Sequence, residues 1–494
     1  MFIHLPPGLV LSEACRLDAL KLDKDGNLKG KGPRVGLRLL KALYGLKQAP
    51  LLWNLRIDEF FKSHGFVRQA ADACLYKYEE TVNGEVKWIL LSVSVDDILV
   101  TGNHFDRIEQ LHKELNDAFS ITINGKLKEV TCEKFVDSFL GILVTGRTEN
   151  GSITLSVPGK INDLVKETET ATGTKLHSIK LLSAPDKDSK PKSGKLYDHV
   201  KENFSRIIGC CIYMSITCRP DISTWVSRAA RGMHSPEDSH IHLAIQLLMY
   251  LNGTQKQGLT FSHDKTPVQS MLSHYQENEG QEVKSELDGA SCVAFSDANW
   301  CDPTDDKLRS TSGYCIYLFG CLISWHTKRQ TLTAASTMQA ELIAAATCAD
   351  EVKWFSNFLK PNEAIFGKFK PIPLLVDNKA ALSVANHPKV GKGSKFVDLR
   401  EYRIRDYQIE GVIRPLWVPG NLNPSDLFTK LLGKTLFERN VRLLGMSMLK
   451  SDDELKEEVL CAYIMTSTPY QEYDLLDHYP SGVHFMFCPD LMDI

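Results

Sequence analysis

The sequence predicts a multidomain chain of the α/β and α+β classes, and three observations carry that expectation. First, 494 residues with 43% hydrophobic content exceed what one core can hold, so two to four domains are expected. Second, from about residue 291 to 446 strand-length apolar runs alternate with helical periodicity. The order is strands, long helix, strand, short helix, helix, strand, helix, as in an α/β layer fold. Third, Trp88 to Val100 reads as a strand, a tight acidic turn and a second strand, which is the pattern of an antiparallel hairpin.

Taken in order, residues 1–160 mix helical and strand patterns. Leu39 to His64 reads as one amphipathic helix, broken near Gly45 and Pro50. Residues 180–195 are rich in Lys, Ser, Pro and Asp, a linker composition. Residues 200–256 read as helical, with apolar positions recurring around Ile207, Tyr213, Trp225, Leu243, Leu247 and Leu251. A polar stretch, 264–290, leads to the alternating region. The expected segments are therefore 1–160, 161–290, 291–446 and an acidic tail of low order, 447–494.

Composition excludes several classes. No apolar run reaches the roughly 18 residues of a membrane span. The start, Met1 to Pro7, lacks the basic and apolar regions of a signal peptide. Thirteen cysteines include no Cys-x-x-Cys pair, so reduced thiols in an intracellular protein are expected. The formal charge is -3, of which the tail holds -8, leaving +5 on the rest. Lys29, Lys31, Arg34, Arg38, Lys41 and Lys47 form one basic group. Lys389, Lys392, Lys395, Arg400, Arg403 and Arg405 form another. Each suits phosphate neutralisation, and each equally suits a solvated face.

Four acids stand at the edges of separate elements. Asp297 ends the apolar run Val293 to Ser296, and Glu341 lies early in an Ala-rich helix from about Ser336 to Leu359. Asp377 follows the strand Ile372 to Val376, and Asp426 begins a helix behind Asn423-Pro424-Ser425. If they converge, their hard oxygens suit magnesium or manganese. A chain with 61 acids also offers such quartets by chance. Likewise Asp96 and Asp97 fit either a metal-holding hairpin or an ordinary solvated turn.

The surrounding motifs are more specific. Lys41-Ala42-Leu43-Tyr44-Gly45-Leu46-Lys47-Gln48-Ala49-Pro50 with Trp53, then Val95-Asp96-Asp97-Ile98-Leu99-Val100-Thr101-Gly102-Asn103, closely resemble the palm of copia-type retrotransposon reverse transcriptases. The likeness continues through Phe139-Leu140-Gly141-Ile142, Tyr213 to Ile222 and Leu251-Asn252-Gly253-Thr254. The resemblance implies a partial right-hand palm of antiparallel strands with flanking helices, followed by a helical thumb or connection. It implies that Asp96 and Asp97 hold metal for nucleotidyl transfer, and that Lys41, Gly45, Lys47 and Gln48 lie along nucleic acid. The family's third palm aspartate and its fingers precede the segment matching Met1 to Gly8, and Ser94 stands where the family has tyrosine. Weak or no polymerase activity from this polypeptide alone is the expectation.

Residues 291–446 are similar to the ribonuclease H domain of the same family. Ser296-Asp297-Ala298-Asn299-Trp300, Ser310 to Tyr314, Ile323 to Gln330, Ser336 to Glu341, Asp377-Asn378 and Ser425 to Lys430 match its motifs in turn. The implied fold is a mixed five-stranded sheet with helices on both faces. The implied chemistry is two-metal hydrolysis of the RNA strand of an RNA–DNA hybrid. Asp297 would bridge two magnesium or manganese ions, Glu341 and Asp377 would complete one shell, and Asp426 the other. Asn299, Ser312 and Gln339 are implied polar contacts to nucleic acid, while Trp300 and Trp325 read as core. Phe396 and Tyr402 replace two histidines of the family pattern, which bears on turnover. Two functions follow from these motifs: a ribonuclease H, or a non-catalytic nucleic-acid-binding remnant of a retroelement. The expected place is inside the cell, cytoplasmic or nuclear, and not secreted.

Overall fold

The structure, a computed structural model, describes residues 2–4, 36–38, 46–95, 97–119, 122–126, 137–147, 152–183, 193–262, 266–278, 287, 290–301, 308–387, 398–448 and 482–487. Lys41, Gly45, Asp96 and Phe396 lie outside these residues, as do Lys389, Lys392 and Lys395. Most of the 180–195 linker and most of the tail lie outside them too.

Near the start, β1 (Phe2–His4) pairs antiparallel with β2 (Gly36–Arg38). The helix expected over residues 39–64 is described as α1, Ala49–Ser63, with Pro50 in its first turn. Proline has no N–H to donate, which costs nothing at that position and fixes the helix start there. Strands β3 (Val67–Arg68), β4 (Leu75–Val82), β5 (Glu85–Ser94) and β6 (Asp97–Gly102) follow, then α2 (Phe105–Phe119) and β7 (Thr122–Lys126). The β4–β5 connection is Asn83-Gly84, both with positive φ, the turn that matches the twist of a hairpin. Ile57, Phe61, Ile89, Val100, Ile108 and Leu111 fill the core between this sheet and its two helices. Each such side chain contributes about 1.5–3 kcal/mol when fully buried.

A second sheet draws on distant parts of the chain. Its strands are β8 (Asp137–Phe139), β9 (Ile142–Arg147) and β10 (Ser152–Ser156), joined by β11 (Gln257–Phe261) and β17 (Met446–Met448), in the order β17-β11-β10-β9-β8. Between β10 and β11 run α3 (Pro158–Thr172), α4 (Lys195–Glu202), α5 (Phe204–Thr217), α6 (Ser223–Ala229) and α7 (Asp238–Gly253). Ile207, Trp225, Leu247 and Leu251 are buried among them, as their spacing requires. Within these helices Arg219 and Asp221 form a fully buried ion pair. Thr254 and Tyr250 supply its remaining hydrogen bonds, which is what a buried pair needs to persist. The stretch 264–290, read from sequence as polar connection, contains a helix, α8 (Pro267–Asn278), whose Val268 and Tyr275 are buried. Its polar positions face outward, so composition alone hides the helix.

The third sheet is mixed. Strands β12 (Cys292–Asn299), β13 (Thr311–Leu318) and β14 (Cys321–Arg329) run antiparallel, and β15 (Ile372–Val376) and β16 (Ile413–Trp417) join parallel beside β12. The order is β14-β13-β12-β15-β16, which places β12 at the centre. Strand alternation divides β12 between two cores. Ala294 and Cys292 face a core with Leu342, Ala345 and Ala349 of α9 (Thr337–Leu359). Val293 and Phe295 face a core shared with the α5–α7 helices. One face of the sheet is thus covered by helices from the preceding segment. Short helices α10 (Glu363–Phe366), α11 (Lys379–Asn386), α12 (Arg403–Ile409) and α13 (Lys434–Leu443) complete this part. From the tail, Gly482–Phe487 is described as β18, between β6 and β7.

All nine cysteines among the described residues are free thiols. No described helix is long and apolar enough to cross a membrane.

Candidate functional site

At the centre of the third sheet, Asp297 is fully buried on β12, opposite Gly313 of β13. Asp377 leaves the end of β15, the strand that pairs parallel with β12. Asp426 comes from neither strand nor α-helix. It was expected to begin a helix, but it sits within a 3-10 turn, Pro424–Phe428. The Asn423 side chain caps that turn by accepting from the Ser425 N–H, and it donates to the Ser296 carbonyl at 2.9 Å. Asparagine thereby ties the turn to β12 next to Asp297. Gly313 makes the approach feasible: a Cβ there would lie 2.7 Å from Phe428 Cβ and Thr429 Cγ2. The outcome is that one carboxylate oxygen from each of Asp297, Asp377 and Asp426 lies within 4.8 Å of the others.

Glu341 comes from α9, which packs on β12, and lies one turn in from the start of that helix. Ser336 caps this helix by accepting from the Gln339 N–H at 3.2 Å. Glu341 is outside the trio, but burial together with the charges of Asp297 and Asp377 pushes its carboxyl up to about 10. Its Oε2 is buried without a hydrogen bond. Burial and the Asp297 charge also push Asp377 up to about 6 and Asp426 up to about 6. Burial and one another's charges hold these acids above their ordinary range, which favours a cation among them, and the Glu341 carboxyl feels the charges of the same neighbours, Asp297 and Asp377. The set of hard oxygens fits magnesium or manganese.

Two residues of this cluster were quoted in the motifs and given no role. Thr429 is fully buried and donates its hydroxyl proton to Asp297 Oδ2. Lys430 Nζ lies 3.1 Å from Asp297 Oδ1 and hydrogen-bonds Asp426 Oδ1. Burial alone would lower the Lys430 pKa, but Asp297 and Asp426 hold it above the ordinary lysine range. The available signal was the spacing of Asp426 and Lys430, four apart, which suits an ion pair on one turn.

The expected nucleic-acid contacts take different positions. Asn299 ends β12 half-buried. Ser312 is buried and accepts from Gln330 Nε2 at 2.8 Å, while Gln339 Oε1 accepts from the Ala335 N–H. Trp300, expected in the core, is 43% exposed, with its N–H donated to the Ala334 carbonyl. It follows the last residue of β12, beyond the reach of either core. Trp325 is packed against the helical core and donates to the Ser215 carbonyl. In the second basic group, Arg403 pairs with Asp350 and Arg405 donates to the Val384 carbonyl. Both therefore hold the fold together. Tyr402 stacks against the Arg405 guanidinium at 4.2 Å.

The other acidic element is the β5–β6 hairpin. Ser94 pairs with Asp97 at the end of the hairpin, and Val95 follows Ser94. Val95 has φ of +55°, a conformation costly for a β-branched residue. Trp53 Nε1 holds it by donating to the Val95 carbonyl at 2.5 Å. Burial raises the Asp97 pKa, opposed by a backbone hydrogen bond from Leu140. Tyr213 in turn donates its hydroxyl proton to the Leu140 carbonyl at 2.7 Å. Lys47 and Gln48 are exposed just before α1.

Comparison with known proteins agrees with the resemblance to copia-type retrotransposon Pol polyproteins. The family model described as reverse transcriptase (RNA-dependent DNA polymerase) matches residues 26–180. The chain is 28% identical over 448 residues to the retrovirus-related Pol polyprotein from transposon RE1 of Arabidopsis thaliana, across 90% of this chain and 26% of that one. It is 30% identical over 333 residues to a putative transposon Ty5-1 protein of Saccharomyces cerevisiae, across 66% of this chain and 93% of that one. A crystal structure of prototype foamy virus protease-reverse transcriptase aligns with a TM-score of 0.20 at 9% identity, over 80% of this chain and 61% of that one. A score that low carries no argument about the fold. The chain spans about a quarter of the length of the curated polyproteins that it matches.

Proposed function

This chain belongs to the reverse-transcriptase region of copia-type retrotransposon Pol polyproteins, and on that premise we propose that it hydrolyses the RNA strand of RNA–DNA hybrids at the Asp297 cluster. Reverse-transcriptase domains bind nucleic acid and generally use divalent metals. The finer assignment rests on one observation, the approach of Asp297, Asp377 and Asp426 within 4.8 Å of one another. Asp297, Asp377 and Asp426 would hold the metal, with Glu341 completing the set. Bound magnesium or manganese would supply an activated water and relieve charge on the leaving 3′-oxygen. The chain's own contribution is placement. Thr429 fixes Asp297 Oδ2, and Asn423 holds the turn that carries Asp426. Selection of the RNA strand would come from 2′-hydroxyl contacts and minor-groove shape rather than base sequence. We place this activity inside the cell, with the nucleic acid that it acts on.

The test is cleavage of a labelled RNA–DNA hybrid with magnesium by the wild type and by Asp297→Asn. Cleavage by the first and not the second supports the proposal. Equal null signals leave the second reading, a non-catalytic nucleic-acid-binding remnant, which the tyrosine at position 402 favours. Primer extension by the same preparation tests the expectation that polymerase activity is weak or lost.

A further inference from the structure

We infer that Lys430 is an internal cation of the acid cluster, one that competes with divalent metal for the space between Asp297 and Asp426. The inference rests on the metal-dependent reading above. Lys430 Nζ donates to Asp297 Oδ1 at 3.1 Å and to Asp426 Oδ1, and its charge lies 3.1 Å from Asp297 Oδ2. An ammonium has three protons to donate, and two of them go to these two acids. Two of the three acids that approach within 4.8 Å are therefore already sharing one positive charge.

A magnesium ion would need those oxygens at about 2.0–2.1 Å. Ammonium and metal cannot use the same oxygens at once, so Lys430 has to withdraw as the metal enters. Its position allows this. The Lys430 side chain is 37% exposed, whereas that of Asp297 is 1% exposed. Lysine has a flexible four-carbon stem and a strongly hydrated head, so it can swing into water without disturbing the core. Thr429, its neighbour, is fully buried on Asp297 and stays. The two consecutive residues thus divide the work: Thr429 fixes the carboxylate, and Lys430 neutralises it until metal does so.

A merely structural lysine and a competing lysine differ in the sign of one measurement. Loss of a structural residue loosens the acids and weakens metal binding. Loss of a competitor leaves close carboxylates unneutralised, which lowers stability without metal and strengthens metal binding. The experiment compares the full-length wild type, Lys430→Met, Lys430→Arg and Asp297→Asn. Manganese affinity is measured by calorimetry, and melting temperature in chelator and in manganese. The expected result is a Lys430→Met chain that melts lower in chelator and binds manganese roughly tenfold tighter, with Lys430→Arg close to wild type. A Lys430→Met chain that folds only with manganese is the extreme form of the same result. If it folds under neither condition, Lys430→Gln takes its place and the same outcomes apply. Unchanged or weaker manganese binding by the neutral variant, beside a wild type that responds, overturns this inference alone. A wild type that matches Asp297→Asn in ignoring manganese overturns the metal-site reading and this inference with it.

Discussion

The hairpin that carries Asp97 and the cluster around Asp297 differ in the sequence distance that each must close. The hairpin needs only two adjacent strands, both within Glu85–Gly102. Its strain is local too: Val95 has a positive φ and is held by one indole N–H from α1. The cluster gathers side chains from β12, β15, α9 and a 3-10 turn, spread over 130 residues of chain. It therefore depends on the sheet closing, on Asn423 bridging to Ser296, and on the space left by Gly313. The helices α5–α7 also enter: Thr224 donates to the Leu427 carbonyl at 2.6 Å, beside Asp426. A local site survives much that a dispersed site does not.

That contrast can be broken or sharpened by substitution. The largest effect is expected at the cluster. Asp297→Asn should lower hybrid cleavage by about a thousandfold or more, while Asp97→Asn leaves it unchanged. Equal losses in the two variants would show that the sites are not independent. Next in size is Gly313→Ala, whose Cβ would press on Phe428 and Thr429. It should cost about 1–3 kcal/mol in urea unfolding and reduce manganese binding. An alanine tolerated without cost would show that the turn has slack.

The third effect is a dependence on pH. Burial, with the Asp297 charge, pushes Asp377 and Asp426 up to about 6 and Glu341 up to about 10. All three lie above unfolded values near 4. The folded state therefore binds more protons, and the stability these groups contribute is present below about pH 4. It is lost as pH rises through 6 and on toward 10. Without metal, melting temperature should fall across this range. The gain on adding manganese should grow from pH 5 to pH 7, because the metal takes the unprotonated acids. A gain that shrinks with pH would reverse the assignment. The smallest effects belong to the hairpin. Trp53→Phe should cost about 0.5–1.5 kcal/mol for the lost hydrogen bond. Val95→Gly should stabilise by up to about 1 kcal/mol by relieving the positive φ. If Val95→Gly destabilises instead, the turn is not strained.

Much of the arrangement was legible along the chain. The strand before Asp377 is found at Ile372–Val376, and the Ala-rich helix begins one residue after Ser336. These follow from local rules, since β-branched and apolar runs make strands and a serine cap starts a helix. The parts that escaped reading are of another kind. Asp426 lies in a 3-10 turn because Asn423 is held by a strand 127 residues away. Trp300 is exposed because β12 ends one residue before it. The helix α8 was hidden by its polar surface. Lys430 was quoted within a motif, but its partner across the site, Asp297, is 133 residues distant.

By itself the sequence determined which residue types stand at the ends of which elements, because caps, proline starts and hydrophobic periods act over a few residues. Only the tertiary structure decided how close Asp297, Asp377 and Asp426 stand, and that a lysine stands between two of them. Those distances are set by strand order, by a glycine that admits a turn, and by a shared core beneath the sheet. None of these acts through neighbours in the chain, so none leaves a local mark to be read.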